Sequence, residues 1–328
     1  MYLAAPVLAF AVDARGVPVL GRAAELYLLR RTGYDDPSAG RLLEGHVNAL
    51  ELVGRLGNAA QRERAARDAA AGRLFGTWNT QDDDGVKLLP RGDAFTLGGR
   101  KTFASGAGRV SRGLITAAWP DGRSQLVLVA MDAVQTTIDT TFWRPLGMEA
   151  SESYAVAFDG VTLDASDLIG GPAAYEAAPW FLGGAIRFVA VHAGILERLR
   201  DETAVFLREL GREKSPFQQT RLAEIAAGAA SAVNWLAPGA AAWDAFDREP
   251  SQSHADTVVA VADLARIDVE RAAFATIERV ERSVGARGLL EPRPFGRLLR
   301  DLSMYVRQPA PDAALARIAE RTSNHQPD

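Results

Sequence analysis

The sequence contains no cysteine among its 328 residues. This absence excludes disulfide bonds, thiolate catalysis and every metal site built on cysteine, and it favours a cytoplasmic protein. Histidine is scarce as well, and none of the residues stands in the H-E-x-x-H spacing that binds zinc. The four histidines are His46, His192, His254 and His325. The sequence therefore predicts no metal site.

Basic surplus and long apolar runs are also lacking. The formal net charge is −4 at pH 7, so the chain has no excess of cations with which to neutralise nucleic-acid phosphates. The apolar opening, MYLAAPVLAFAVDA, lacks a basic start, contains Pro6 and reaches Asp13 too early for a membrane span or a signal peptide. We expect no nucleic-acid or membrane partner, and we interpret the opening as a buried helix.

Hydrophobic periodicity divides the chain into three segments. Residues 1–75 and 173–328 place apolar side chains at helical spacing, whereas residues 76–172 alternate in short runs broken by glycine, proline and aspartate. Breaks at LGREKSP, DREPSQS and LLEPRP divide the last segment into three long helices and a terminal piece. The pattern predicts a multidomain α+β protein with an N-terminal helical domain, a central β-barrel or sandwich and a C-terminal four-helix bundle.

The glycine-rich stretch LGGRKTFASGAG, residues 97–108, raises the question of a phosphate-binding loop. A dinucleotide fingerprint needs G-x-G-x-x-G between a strand and a helix, where free backbone N–H groups meet the phosphates. Here Gly106 and Gly108 are followed by Ser111 in place of the third glycine. The next residues, GLITAAW, are rich in strand formers and end at Pro120, as a strand entering a turn does. The glycines need another explanation.

Four motifs, placed in this order of helices, strands and helices, resemble those of the acyl-CoA dehydrogenase family of flavoproteins. GRLFGTWNTQ (72–81) resembles the family segment that ends in aromatic-x-x-Thr-Glu, and LGGRKTFASGAG resembles its NGxKxWITNGG strand. WRPLGMEASESYAVAFDGVTLDASDLIG (143–170) is similar to LGxRxSxTxxLxFDxVxVP, and GRLLRDLSMY (296–305) to the C-terminal RDA segment. The resemblance covers about residues 40–325 and implies a bound flavin, FAD with FMN as the alternative.

The resemblance also implies roles for individual residues. Phe103 takes the place of a tryptophan against the isoalloxazine ring, and Ser105 that of a threonine whose hydroxyl bonds flavin N5. Trp78, Asn79 and Thr80 match the segment whose amides and hydroxyl bond the pyrimidine edge of the flavin. The glycines then let the backbone approach a flat ring closely. From spacing alone, Phe103 reads equally well as barrel core and Ser105 as a turn residue.

The sequence departs from the family at the catalytic base. Counted from the RD pair in the last motif, the usual glutamate position falls on Pro309, and the alternative position on the first bundle helix falls on Gly184. Neither side chain can take a proton. His46 lies on a helix whose family counterpart passes near the substrate, so it is a weak candidate for a relocated base. It also reads as an ordinary polar residue of an amphipathic helix.

The phosphate-binding features of the family are reduced as well. The RxxFG segment that binds the diphosphate has no counterpart after the first bundle helix. Arg287, in VGARGLL, lies in a segment that resembles the turn through which a neighbouring subunit contacts the dinucleotide, so it is a candidate phosphate contact. A C-terminal cap of its helix is an equally good interpretation. These losses weaken the expectation of FAD and leave FMN open.

Three functions are compatible with the resemblance. The first is a flavin-dependent oxidoreductase with a non-standard substrate, either a small molecule or an acyl thioester. The second is a reduced-flavin monooxygenase of the same fold, in which oxygen chemistry replaces proton abstraction by the glutamate. The third is an inactive binding or scaffold subunit, so the sequence leaves enzymatic turnover uncertain. In each case we expect a homodimer or homotetramer that associates through the helical bundle.

Overall fold

Helices flank a central run of strands in this computed structural model, which describes residues 11–13, 15–308 and 310–324. The helices before the strands are α1 (Arg22–Asp35), α2 (Pro37–Leu56) and α3 (Ala59–Ala70). The helices after the strands are α4 (Trp180–Gly183), α5 (Ala185–Glu209), α6 (Pro216–Asn234), α7 (Leu236–Arg248), α8 (Gln252–Gly288), α9 (Phe295–Tyr305) and α10 (Pro311–Asn324). The predicted order of element types is confirmed, while the predicted helix at the start lies largely outside the described residues.

Capping residues and prolines set the helix boundaries. α3 begins at a capping box, in which Asn58 and Gln61 each accept a hydrogen bond from the other's backbone N–H. α6 begins at Pro216, whose missing N–H has no intrahelical partner in a first turn anyway. The long helix predicted from there is divided at Trp235. Pro238 explains the division, because it cannot donate to the carbonyl four residues earlier and its ring crowds that turn.

The strands form two sheets. They are β1 (Phe75–Trp78), β2 (Lys87–Arg91), β3 (Ala94–Gly98), β4 (Arg100–Ala104), β5 (Arg112–Ala118), β6 (Ser124–Ala130), β7 (Thr137–Asp139), β8 (Tyr154–Ala157), β9 (Thr162–Leu163) and β10 (Leu168–Ile169). The larger sheet has the order β10-β6-β5-β2-β3-β9, with β1 parallel to β5, and the smaller has the order β4-β8-β7. This architecture agrees with the predicted central β-barrel or sandwich.

Apolar side chains of both sheets form one buried core. Leu88, Leu97, Ile115 and Val127 from the larger sheet and Val156 from the smaller are each at most 1% exposed. Removing such a side chain from water stabilises the fold by about 1.5–3 kcal/mol. The core therefore fixes the positions of β1, β4 and β5, which carry the candidate site.

The chain packs as two units. The first contains the described residues up to Gly21, Arg41–Arg144 and Glu149–Phe181, and the second contains Arg22–Gly40, Pro145–Met148 and the residues from Leu182 onward. Within the second unit α1 lies against α5, where a Cβ on Gly33 would come within 2.4 Å of the Val191 carbonyl oxygen. The segment 1–75 is thus shared between the two units, because α1 packs with the C-terminal helices.

One helical stretch of the described part of the chain, residues 180–209, which comprises α4 and α5, is long and apolar enough to cross a membrane. Of the most apolar window within it, 67% is buried inside the protein. Packing within the protein therefore accounts for the apolar side chains of this helix.

Candidate functional site

The end of β1 is tied to the turn that follows β4. Trp78 closes β1 and is 2% exposed, and its Nε1 donates a hydrogen bond to the carbonyl oxygen of Ser105 at 3.0 Å. Gly76 leaves room for this ring, since a Cβ there would lie 3.0 Å from Trp78 Nε1. The Trp-Asn-Thr segment and the glycine-rich stretch are therefore neighbours within the first unit.

Phe103 has an unusual backbone conformation on β4. Its φ is +52°, in the left-handed region that bulky residues rarely adopt. The pairing of β4 with β8 shifts register between Lys101 and Ala104, which marks a β-bulge. Phe103 is 45% exposed and meets Phe142 and Trp143 edge-on, with ring centroids 5.1 and 6.0 Å away. This placement rules out a core position, and strain that exposes an aromatic ring is typical of a binding surface.

The positive φ at Phe103 predicts a difference between two substitutions that both remove the ring. Phe103→Gly is expected to be more stable than Phe103→Ala by about 1 kcal/mol, because glycine adopts a positive φ without the clash of a Cβ. Denaturant unfolding measures the difference. Phe95 is the control, since its φ is not positive; there the glycine variant should be the less stable of the two. Equal stabilities at Phe103 would show that its backbone relaxes without cost.

Ser105 follows the bulge and is 7% exposed. Its hydroxyl lies 2.9 Å from the hydroxyl of Ser153. The turn itself is held by Gly106, which has φ +71° and whose N–H donates to the Ser151 carbonyl at 2.7 Å. The positive φ favours glycine, and a Cβ there would also lie 2.8 Å from Leu42 Cδ2, which would have to move aside. The Ser105 hydroxyl is therefore oriented by the protein and not by solvent.

A cleft of about 330 Å³ opens at the ends of β1 and β5 in the first unit. Its wall includes Asn79, Gln81, Thr116, Tyr175, Glu176 and Phe181. Asn79 Nδ2 donates to the Tyr175 hydroxyl at 2.7 Å, whereas Asn79 Oδ1 is buried without a protein partner. A buried acceptor of this kind normally has a partner, so Asn79 Oδ1 is suited to receive a donor from a ligand.

Lys101 is a buried cation that adjoins this cleft. Its side chain is fully buried, and its Nζ donates to Thr116 Oγ1 at 2.7 Å, to the carbonyl oxygen of Asn79 at 3.2 Å and to Gln81 Oε1. All three acceptors are neutral, and no carboxylate of the described residues forms an ion pair with Lys101. The three donors of one ammonium group thereby hold three residues of the cleft wall in place.

Burial without a counter-charge lowers the pKa of the Lys101 ammonium group to about 7. Lys101 therefore changes its charge near neutral pH, unlike an exposed lysine. Lys101 was not among the site residues predicted from the sequence. The available signal was a lysine at the lysine position of the NGxKxW motif, in a strand that is otherwise rich in buried residues.

No protein-family model matches the chain. A curated protein, "Putative acyl-CoA dehydrogenase YdbM" of Bacillus subtilis (strain 168), is 24% identical over 287 residues, which cover 84% of this chain and 72% of YdbM. FMN-bound TdsC from Paenibacillus sp. A11-2 has a TM-score of 0.85 at 19% identity, covering 93% of this chain and 84% of TdsC. The methanesulfinate monooxygenase MsuC from Pseudomonas fluorescens has a TM-score of 0.84 at 16% identity, covering 98% of this chain and 88% of MsuC.

The chain has the acyl-CoA dehydrogenase fold. The resemblance identified from the four motifs is thereby confirmed. Of the residues that it singled out as flavin contacts, Trp78, Asn79, Thr80, Phe103 and Ser105 all lie in the first unit. Thr80 is exposed, and its carbonyl oxygen accepts the N–H of Thr102 at 3.1 Å, which joins the segment after β1 to β4.

Arg287, the remaining predicted contact, lies in the second unit of the chain. It is exposed in the last turn of α8, two residues after a break at Gly285, whose φ is +56°. The predicted turn in VGARGLL is thus present as a break within the helix. Exposure leaves the guanidinium accessible to an anion or to a second subunit.

His46 is fully buried on α2. Its Nδ1 accepts a hydrogen bond from the backbone N–H of Phe75 at 3.1 Å, and its ring meets the Phe75 ring edge-on. An Nδ1 that accepts a backbone N–H has its lone pair occupied, so this nitrogen is not available as a base. The geometry gives His46 a structural function, namely joining α2 to β1.

Of the two positions that the resemblance assigns to the catalytic base, the one that the structure describes holds no carboxylate. Gly184 is buried and precedes the first turn of α5, while Pro309 lies outside the described residues. Glu176 and Asp312, the nearest carboxylates by sequence, are both exposed. Within the described ranges, no group of three or more histidine, aspartate or glutamate side chains is placed to hold a metal ion.

Proposed function

We propose that this protein is a flavin-dependent oxidoreductase with a non-standard substrate. The observation that carries the proposal is the outward-turned, conformationally strained Phe103, next to the buried Ser105 hydroxyl, on the acyl-CoA dehydrogenase fold. A flat apolar ring beside one oriented hydroxyl suits a ring system with a polar edge. When bound, a flavin supplies two-electron redox chemistry at N5.

Several residues of the first unit provide different contacts for such a ring. Phe103 offers an apolar face, the Ser105 hydroxyl offers a hydrogen bond at the N5 edge, and Trp78 holds both in register through its bond to the Ser105 carbonyl. Asn79 Oδ1, buried without a protein partner, suits an N–H donor such as flavin N3–H. An apolar face, a hydroxyl and a free amide oxygen are the kinds of contact that the isoalloxazine ring, common to FMN and FAD, can use.

FMN is the better candidate for the cofactor. The structural neighbour TdsC binds FMN, and this sequence lacks the RxxFG segment with which the family binds the FAD diphosphate. Arg287 remains the candidate for a phosphate contact supplied across a subunit boundary. The absence of cysteine supports a cytoplasmic enzyme.

Oxygenation is the second candidate reaction. The specific observation in its favour is Gly184, which leaves one of the two family base positions without a carboxylate. Two structural neighbours, TdsC and MsuC, are named as monooxygenases of dibenzothiophene and methanesulfinate. Oxygenation needs no base at the substrate α-carbon, so the missing glutamate is compatible with it. The substrate is then a small molecule, and a separate reductant supplies the electrons.

The first test is the visible spectrum of the purified protein, followed by identification of any flavin that is released on denaturation. We expect flavin bands directly after purification or after addition of FMN or FAD. A protein that takes up neither flavin, in the oxidised or the reduced state, contradicts the proposed function. Such a result supports an inactive binding or scaffold subunit instead.

Two substitutions test the assignment of the ring contacts. Ser105→Ala is expected to lower the affinity for FMN about two- to tenfold, because one hydrogen bond of about 0.5–1.5 kcal/mol is lost. Phe103→Ala should lower it further, since a whole apolar face is removed. Fluorescence titration with FMN measures both, and Ser166→Ala, at an exposed serine, is the control. Unchanged affinity in both variants would show that the flavin binds elsewhere.

We also expect a homodimer or homotetramer at micromolar concentration. Exposed apolar side chains on the C-terminal helices support this expectation; they include Val205, Phe217, Leu264 and Phe274, which are 41 to 76% exposed. Association buries such side chains. Sedimentation velocity measures the mass, and a monomer at that concentration would contradict the expectation.

A further inference from the structure

Three buried serine hydroxyls form a chain that ends at Ser105. The oxygen of Ser153 lies 2.9 Å from the oxygen of Ser105 and 2.9 Å from that of Ser151. Ser105, Ser153 and Ser151 are 7, 4 and 1% exposed. Exposure thus decreases along the chain, so Ser105 is the member nearest to solvent or to a ligand.

The backbone holds the three hydroxyls in this arrangement. The Gly106 N–H donates to the Ser151 carbonyl at 2.7 Å, and Ala104 pairs with Tyr154 across β4 and β8. Glu152, between the two distal serines, has φ +44°, a conformation that costs of order 1 kcal/mol for a residue with a Cβ. These backbone contacts hold Ser151 and Ser153 in place, so the fold itself positions the chain of hydroxyls.

The hydrogen bonds of this chain of hydroxyls have a preferred direction, because each hydroxyl has one proton to donate. Ser151 is the closed end, since the Ser153 hydroxyl is the partner of its side chain among the described residues. If Ser105 donates to Ser153 and Ser153 to Ser151, the buried Ser151 proton has no acceptor, which costs about 1–3 kcal/mol. In the opposite direction Ser151 donates to Ser153, Ser153 donates to Ser105, and the Ser105 proton is free to point out of the chain.

We propose that Ser153, supported by Ser151, is a positioning residue that makes the Ser105 hydroxyl a hydrogen-bond donor toward a ligand atom with a lone pair. The inference rests on the proposed function, in which that atom is N5 of the oxidised flavin. Oxidised N5 accepts a hydrogen bond, whereas reduced N5 carries a hydrogen and donates one. The serine chain therefore stabilises the oxidised flavin relative to the reduced form. Removing one of its hydroxyls should raise the reduction potential of the bound flavin.

The experiment compares FMN with 5-deaza-FMN, in which a C–H group replaces N5 and cannot accept a hydrogen bond. Ser153→Ala is expected to weaken the binding of oxidised FMN about two- to fivefold and to leave the binding of 5-deaza-FMN unchanged. Ser151→Ala should give a smaller effect of the same kind, and Ser153→Thr, which keeps the hydroxyl, should restore wild-type affinity. Ser283→Ala, which removes a buried hydroxyl from α8 in the second unit, is the control.

A double-mutant cycle separates positioning from a general structural effect. Because Ser153 acts through Ser105, adding Ser153→Ala to Ser105→Ala should change FMN affinity no further. The potential of bound FMN should rise in either single variant. If the two substitutions have additive effects on FMN affinity, or if Ser153→Ala weakens the binding of FMN and 5-deaza-FMN equally, the inference is overturned while the proposed function stands. Failure of the wild-type protein to bind either flavin overturns both.

Discussion

Anaerobic mixing of the flavin-loaded protein with straight-chain acyl-CoA thioesters is expected to leave the flavin oxidised. Desaturation requires a base within reach of the substrate α-proton while hydride leaves the β-carbon, and general-base assistance contributes about 10²- to 10⁴-fold in rate. The two positions that the resemblance assigns to this base hold Gly184 and Pro309. The absorbance of the flavin near 450 nm, followed over minutes with acyl-CoAs of several chain lengths, measures the reaction.

The control for this assay is chemical reduction of the same sample with dithionite, which should bleach the flavin and show that it is competent. Rapid bleaching by any acyl-CoA would mean that another group has taken the position of the glutamate. Glu176 is then the first residue to replace, because its carboxylate is exposed in the cleft wall. His46 is less suited, since its Nδ1 is occupied by the Phe75 N–H.

The stability of the protein is expected to rise with pH above neutrality because of Lys101. The pKa of this group is about 7 in the folded protein and about 10.4 in an unfolded chain. Between these values the unfolded chain holds a proton at Lys101 that the folded protein does not, so the free energy of unfolding increases by up to about 1.4 kcal/mol per pH unit. Below about pH 7 both states are protonated, and this contribution no longer changes with pH.

The measurement compares wild-type protein with Lys101→Met by urea unfolding between pH 7.5 and 9.5. The free energy of unfolding of wild type, relative to that of the variant, should increase by about 2–3 kcal/mol from pH 7.5 to 9.5, because the variant lacks the titrating group. Lys87→Met is the matched control, since Lys87 is exposed on β2 of the same unit. The free energy of unfolding of this variant should change with pH in parallel with that of wild type. Parallel curves for Lys101→Met would show that Lys101 keeps its ordinary pKa.

Much of the fold could be predicted because the signals are local. The change from helical to alternating periodicity lies close to the start of β1, and the return of helical periodicity follows β10. The division at Trp235 was equally local, since Pro238 was visible in the sequence, but the alanine-rich run around it concealed the break. The resemblance to acyl-CoA dehydrogenases was also carried by short motifs, each of which corresponds to one strand or helix.

The candidate site was only partly visible in the sequence. Phe103 and Ser105 were singled out as residues, but their motif could not say whether they were core and turn or a binding surface. The bulge that exposes Phe103 depends on the register between β4 and β8, which is set by pairing with residues some 50 positions away. The Ser105–Ser153 bond has the same separation, and no local pattern reports it.

The sequence by itself determined the order of helices and strands and the resemblance to the acyl-CoA dehydrogenase family, because each depends on residues that are close together in the chain. It also determined that the two positions assigned to the base by that resemblance hold Gly184 and Pro309. The tertiary structure alone decided that α1 packs with the C-terminal helices, that Lys101 is buried among neutral acceptors and that His46 bonds a strand. The physical reason is that burial, and the pKa shift and hydrogen-bond direction that depend on it, arise from side chains that only the folded chain brings together.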